Sequence, residues 1–143
     1  MDIIWLGHGS FRIETAGQVL LVDPWLTGNP MLRDDQHEAA IAGATHIILT
    51  HAHFDHVIDV LALARRLTVP IVGQYDLMGF WTDSEGIKTV GFNKGGTVDL
   101  GEIAHATARD DAILAAPDCQ HRDAALGNVV MFFAQILGNH PVD

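Results

Sequence analysis

The amino-acid sequence predicts a single α/β domain over residues 1–143, built on a mixed β-sheet with its helices on one face. Short apolar runs of strand length alternate with amphipathic stretches at helical spacing, which is typical of layered α/β proteins. The first strands form an N-terminal hairpin, which argues against a purely parallel sheet. With 143 residues, of which 48% are hydrophobic, the chain is long enough for one compact core.

The first 42 residues are predicted to form three strands, a loop and a short helix. The strands are residues 3–6, 11–14 and 19–22. The first ends at the turn Gly7-His8-Gly9, and a hairpin turn at residues 16–18 joins the second to the third. Prolines, a glycine and an asparagine make residues 24–36 a loop, and Asp34 or Asp35 could cap a helix through Ala42.

The next part of the chain continues the alternation. The predicted strands are residues 45–49, 69–72, 87–90 and 97–100, and the predicted helices are residues 55–67 and 76–83. Arg65 and Arg66 fall in the last turn of the first helix, where cations suit the helix dipole. Asp118 could cap a helix that begins near Cys119 and stops at Gly138, but Val129 to Phe133 could equally be a strand, and periodicity does not choose between them.

Composition excludes several classes of function. The formal net charge is −10 with only eight lysines and arginines, which argues against nucleic acid and against an anionic membrane surface. A single cysteine, Cys119, fits a reducing compartment. The first residues lack the features of a signal peptide, so we expect a cytoplasmic location.

Residues 51–56, His-Ala-His-Phe-Asp-His, are the most informative feature of the chain. They follow the apolar run Ile47-Ile48-Leu49, so a strand delivers three imidazoles and a carboxylate to one loop. Imidazole nitrogen and carboxylate oxygen suit zinc, iron or manganese, and the absence of thiolates argues against a purely structural zinc site. The loop therefore predicts a metal site of the hydrolase type.

The spacing within the loop allows two ions. His51 and His53 alternate along an extended segment and can bind one ion, while Asp55 and His56 at the helix start turn toward a second. Two neighbouring ions could share a hydroxide and hold it against an ester, lactone, amide or phosphoester, which makes Asp55 and His56 the candidate catalytic residues.

Three segments carry a family resemblance. They are Thr50-His51-Ala52-His53-Phe54-Asp55-His56, the opening Trp5-Leu6-Gly7-His8-Gly9-Ser10-Phe11, and Leu21-Val22-Asp23-Pro24-Trp25-Leu26-Thr27-Gly28-Asn29-Pro30. The loop resembles the signature of the metallo-β-lactamase superfamily. Together the segments resemble its uncharacterised metal-dependent hydrolases related to L-ascorbate-6-phosphate lactonase, and Gly91-Phe92-Asn93-Lys94-Gly95-Gly96 is similar to a further segment of that branch.

The resemblance covers about residues 1–103 and implies the N-terminal half of an αββα sandwich with a divergent tail. It implies that His51, His53, Asp55 and His56 are metal ligands for up to two ions, with zinc the first expectation. Asp23 resembles an outer carboxylate that orients a ligating imidazole; a simple Asp-Pro turn is the alternative. His8 and Ser10 could face the same cleft, or lie in an exposed turn. Asn93 and Lys94 could lie near its mouth, although a solvated loop is the more ordinary reading of this lysine.

The tail departs from the family pattern. Relatives of this kind are longer, and their second half supplies a further histidine, a bridging aspartate and a last histidine. The possible replacements here are His105, Asp110, Asp111, Cys119 and His121, and none is assigned as a ligand. The likeness stops abruptly near Ile103, as in a truncated or frame-shifted gene. We expect Leu126 to Leu137, or a second copy of the chain, to cover the apolar sheet face that the missing half would cover.

The resulting functional hypothesis is a metal-dependent hydrolase in which metal-bound hydroxide attacks a small-molecule ester, lactone or phosphoester. The alternative is a catalytically incomplete remnant that binds metal weakly or serves as an interaction module. A nuclease of the same superfamily is disfavoured by the negative charge.

Overall fold

A computed structural model describes residues 1–93 and 96–100 and the backbone of residues 105–107. The chain divides into two units, Met1–Gly91 and Phe92–Asp143. The strands are β1 (Asp2–Gly7), β2 (Ser10–Thr15), β3 (Gln18–Val22), β4 (His46–Ile48), β5 (Ile71–Gln74), β6 (Thr89–Phe92), β7 (Thr97–Asp99) and β8 (His105–Thr107). The helices are α1 (His37–Ile41), preceded by a 3₁₀ turn at Asp34–Gln36, α2 (Phe54–Val57), α3 (Val60–Leu67) and α4 (Tyr75–Glu85).

A mixed sheet in the order β1-β2-β3-β4-β5-β6 organises the first unit. The first three strands pair antiparallel, whereas β3, β4 and β5 run parallel, with Leu21 opposite Ile47 and Ile47 opposite Ile71. Parallel strands place their carboxyl ends at one edge, so β3 and β4 deliver the residues that follow them to the same place. In the second unit, β7 and β8 form an antiparallel pair.

The helices pack on one face of the sheet. Leu21, Ile47 and Ile71 lie in register there and are fully buried in the cluster that α1, α3 and α4 complete. Arg12 is also buried on this face, where its guanidinium donates hydrogen bonds to the carbonyls of Ala40 and Ala42 at 3.1 and 2.7 Å. A cation at the carboxyl end of a helix satisfies carbonyls that lack helical partners.

The opposite face of the sheet is apolar as well. Its side chains alternate with those of the helix face, as the period of a strand requires. The fully or almost fully buried members are Ile13, Leu20, Val22, Ile48 and Val72. The expected occupants of this face, Leu126 to Leu137 or a second copy, are not tested, since that segment lies outside the described residues.

Most predicted elements are present with shifted ends, but the single helix expected over residues 55–67 is wrong. The helix is interrupted at Ile58 and Asp59 and forms α2 and α3. The Asp59 carboxylate accepts hydrogen bonds from the backbone N–H groups of Leu26 and Thr27, at 2.7 and 2.8 Å, which holds it toward the loop after β3. This tertiary contact overrides the helical periodicity.

Within the described residues, no helix has the length and apolar character needed to cross a membrane.

Candidate metal centre

The histidine loop connects β4 to α2 at the carboxyl edge of the parallel strands. The pairing of β4 with β5 extends one residue past the strand, because the Leu49 N–H donates to the Val72 carbonyl at 2.8 Å. The chain then leaves the sheet, and His53 caps α2 with its carbonyl, which accepts the N–H groups of His56 and Val57. The loop is thus fixed at both ends.

His51 and His53 form the first pair of candidate ligands. The Nε2 atom of His51 lies 3.0 Å from Nδ1 of His53, and the ring centroids are 4.5 Å apart. Partial burial, together with the neighbouring His56, lowers the pKa of His51. A lowered pKa favours the neutral imidazole, which is the form that binds metal. Two ring nitrogens so close to each other can serve one ion.

Asp55 and His56 form the second pair. Nε2 of His56 lies 3.6 Å from Oδ2 of Asp55, while Nδ1 of His56 lies 2.7 Å from Oδ2 of Asp23. Because a carboxylate only accepts, the contact with Asp23 places a proton on Nδ1, so that in the neutral ring Nε2 carries the free lone pair. Burial opposes protonation of His56, but the hydrogen bond and charge of Asp23 outweigh it and raise the pKa of the imidazole.

The buried carboxylate of Asp23 bonds to both ends of the histidine loop. It follows β3 with φ +44°, a left-handed backbone that aspartate tolerates better than most residues, and its side chain is fully buried. Its Oδ1 accepts the Thr50 N–H at 2.8 Å, and its Oδ2 accepts the Thr50 hydroxyl. The carboxylate therefore links the ends of β3 and β4 to His56, and these contacts go beyond those of a simple Asp-Pro turn.

His8 reaches the second pair from the turn after β1. Its Nε2 lies 2.6 Å from Oδ2 of Asp55, and its ring packs edge-on against Trp25 with centroids 5.6 Å apart. Burial opposes ionisation of Asp55, but its backbone hydrogen bond and the neighbouring His56 and His8 outweigh that effect and lower the pKa of the carboxyl. Asp55 is therefore held as a carboxylate.

Ser10 does not face the cleft, so that expectation is wrong. It is buried; its hydroxyl donates to the Asp23 carbonyl at 2.6 Å and accepts the Trp25 N–H at 3.0 Å. The serine hydroxyl thus bonds to the backbone on both sides of Pro24, which has no N–H of its own to donate. Its role is to support the loop after β3.

Two residues that support the site, Gly9 and Asp59, are not indicated by any sequence motif. Gly9 lies against His56, since a Cβ built on it would be 2.8 Å from Cε1 of the ring. Asp59 holds Leu26 and Thr27, and its Oδ1 also accepts the Thr27 hydroxyl at 2.7 Å. The only sequence signal for Asp59 is a carboxylate inside an apolar helical pattern, and Gly9 gives no signal beyond a turn.

Possible metal ligands converge in two groups within the described residues. The donor atoms of His8, Asp55 and His56 lie close enough together for one ion, and so do those of Asp23, His51 and His56. Asn93 is exposed. Lys94, the His105 side chain, Asp110, Asp111, Cys119 and His121 lie outside the described residues.

Comparison with known proteins identifies relatives. The family model described as "Metallo-beta-lactamase superfamily" matches residues 4–132. A UPF0173 metal-dependent hydrolase of Ruegeria sp. (strain TM1040) is 72% identical over 102 residues, which are 71% of this chain and 44% of that protein. Another from Ruegeria pomeroyi is 64% identical over 120 residues, covering 82% of this chain and 52% of the relative. The chain thus spans about half the length of the curated relatives it matches.

A solved structure agrees on the fold. A metallo hydrolase from the hyperthermophilic archaeon Ignicoccus hospitalis KIN4/I superposes with a TM-score of 0.68 at 24% identity, covering 76% of this chain and 47% of that one. At this identity the likeness concerns the fold alone. It matches the expected half of the αββα sandwich.

Proposed function

The chain belongs to the metallo-beta-lactamase superfamily, and from that premise we propose that it binds divalent metal and hydrolyses a small ester, lactone or phosphoester. The observation that carries the proposal is the convergence of the histidine loop on itself, with Nε2 of His51 3.0 Å from Nδ1 of His53. The relatives named metal-dependent hydrolases support the reaction class.

The donor set fits a catalytic metal. Imidazole nitrogens and a carboxylate oxygen suit zinc, with manganese or iron as the other expectations. We assign His51 Nε2 and His53 Nδ1 to a first ion, and Asp55 and His56 Nε2 to a second. The fit rests on the availability of the atoms: His56 Nδ1 is already occupied by Asp23, so Nε2 is the nitrogen left for a ligand.

The residues of the chain prepare the site before any substrate arrives. A divalent ion, when bound, polarises a carbonyl or phosphoryl oxygen and lowers the pKa of water. Asp23 keeps the proton of His56 on Nδ1, and Thr50 fixes Asp23 through its N–H and hydroxyl. Asp55 stays ionised because of its backbone hydrogen bond and the imidazoles beside it. Preorganised groups of this kind need little rearrangement during the reaction.

A second candidate function is a metal-binding module without turnover. The specific observation in its favour is that the histidine loop offers only two ligands to each ion, whereas a catalytic zinc commonly has three protein ligands. Both candidates require metal binding and differ only in hydrolysis.

Native mass spectrometry of the zinc-loaded full chain, followed by hydrolysis assays, separates them. The substrates are p-nitrophenyl acetate, a γ-lactone and bis(p-nitrophenyl) phosphate. We expect bound zinc and turnover of one substrate. His53→Ala should lose the first ion and the turnover, whereas the matched variant His37→Ala should keep the bound zinc and the turnover, since the contact described for His37 is with Asp34 and not with the histidine loop. Retained zinc without turnover favours the binding module, and absence of bound zinc overturns both.

A further inference from the structure

We propose that His8 is the third protein ligand of the second metal ion, joining Asp55 and His56. The inference rests on the proposed function, because it needs an ion at that pair. It adds to the site a residue from the turn after β1, more than forty positions before the histidine loop in the chain.

Three donor atoms converge on one side of the Asp55 carboxylate. Oδ2 of Asp55 lies 2.6 Å from Nε2 of His8 and 3.6 Å from Nε2 of His56. The three atoms lie within 4.8 Å of one another, close enough for one ion to contact them all. His56 contributes the nitrogen that Asp23 leaves free. Nε2 of His8 carries the proton that it donates to Asp55, and binding of the ion would displace this proton and free the lone pair for the metal.

The backbone holds His8 in place. His8 has φ +51°, a left-handed conformation that costs energy for a residue other than glycine and persists where the surroundings impose it. The Trp5 indole donates to the His8 carbonyl at 2.9 Å, and the Trp25 ring packs against the imidazole. The turn itself touches the other ligand, since Gly9 lies against the His56 ring. The position of His8 relative to Asp55 and His56 is therefore built into the fold.

The chemistry of the ion calls for such a residue. A catalytic zinc in a protein commonly has three protein ligands and one open position. The histidine loop supplies Asp55 and His56 to the second ion and no more. An imidazole already in contact with Asp55 is the group in the described part of the chain that can complete this set.

The test distinguishes ligation from a hydrogen bond to Asp55. The full chain, labelled with ¹⁵N at its histidines, is loaded with ¹¹³Cd, and coupling between the metal and the His8 ring nitrogen is sought. His8→Gln keeps an N–H that can donate to Asp55 but replaces the imidazole lone pair. We expect the coupling in the parent protein, and in His8→Gln and His8→Ala an affinity for the second ion reduced more than about 100-fold, beyond the roughly 10- to 100-fold typical of an outer partner of a ligand.

The outcomes separate this inference from the proposed function. Two bound cadmium ions with couplings to the loop histidines but none to His8 overturn the inference alone, as does a His8→Gln variant that keeps the second ion. A protein that retains no cadmium at either pair overturns the proposed function and this inference with it. His37→Ala is the control for histidine loss, and both ions should remain bound to it.

Discussion

Replacing Asp23 with asparagine should weaken metal binding by reversing the tautomer of His56. In the parent protein, Oδ1 of Asp23 accepts a hydrogen bond from the Thr50 N–H. Its Oδ2 accepts hydrogen bonds from the Thr50 hydroxyl and from the Nδ1–H of His56. The asparagine must keep its carbonyl oxygen toward the Thr50 N–H, because the reverse orientation would set two donors against each other. Its amide nitrogen then donates to Nδ1 of His56, and the ring proton moves to Nε2, where it blocks the proposed ligand atom.

The expected changes in stability and in metal affinity follow from the hydrogen bonds that Asp23→Asn keeps and those that it loses. One hydrogen bond to Thr50 remains, and two contacts change their sense, so we expect a loss of about 1–3 kcal/mol in the free energy of unfolding. Loss of an orienting partner typically lowers metal affinity roughly 10- to 100-fold, or about 1.4–2.8 kcal/mol. Asp23→Ala should cost more, about 3–5 kcal/mol, because buried donors are left without an acceptor.

Three measurements check this reasoning. Long-range ¹H–¹⁵N spectra of the metal-free protein report the His56 tautomer, competition titration gives the zinc affinity, and urea unfolding gives stability. Asp35→Asn is the matched control, because Asp35 is exposed and bonds only to a surface arginine among the contacts described for it. Zinc affinity within about twofold of the parent in Asp23→Asn, with the proton still on Nδ1, would refute the argument.

Other substitutions test the supports of the site. Gly9→Ala places a Cβ 2.8 Å from the His56 ring and should lower zinc affinity about tenfold; Gly79→Ala, which meets open space in α4, should keep that affinity and gain about 0.5–1 kcal/mol in urea unfolding. Equal affinities in the two variants would contradict the Gly9 contact. Asp59→Ala removes three hydrogen bonds to the loop after β3 and should cost about 1–3 kcal/mol, with faster amide exchange confined to that loop; uniform protection would count against it. Arg12→Met leaves two carbonyls at the end of α1 without their donor and should cost about 2–4 kcal/mol in thermal unfolding, so a loss below about 1 kcal/mol would show that water replaces the guanidinium.

Local patterns predicted the sheet well, because its strands are set by alternation and by turns. The hairpin before β3 and the apolar run that feeds the histidine loop both signal their structure within a few residues. The ligand types also lie next to each other in the sequence, from His51 to His56, so the loop was visible without any knowledge of the fold.

The supports of the site could not be predicted in the same way, because their partners are distant in sequence. Nothing near Asp59 shows that its carboxylate bonds to Thr27, and this contact is what divides the expected helix. The prediction that Ser10 faces the cleft is wrong for the same reason. A serine after a glycine turn can either face a cleft or form a buried hydrogen bond, as it does here with the Asp23 carbonyl. Contacts of this kind depend on how the strands are brought together, which short-range periodicity does not encode.

The hydrogen bonds around Asp23 also bear on the order in which the protein is made. They join residues 13 to 33 positions apart, from Ser10 to His56, and the bond from Leu26 to Asp59 spans 33. All of these residues lie within the first 59 positions of the chain, and the entropy cost of closing a loop rises only slowly with its length. During synthesis, which proceeds from the N-terminus, the scaffold of the histidine loop can therefore assemble before the later segments emerge from the ribosome.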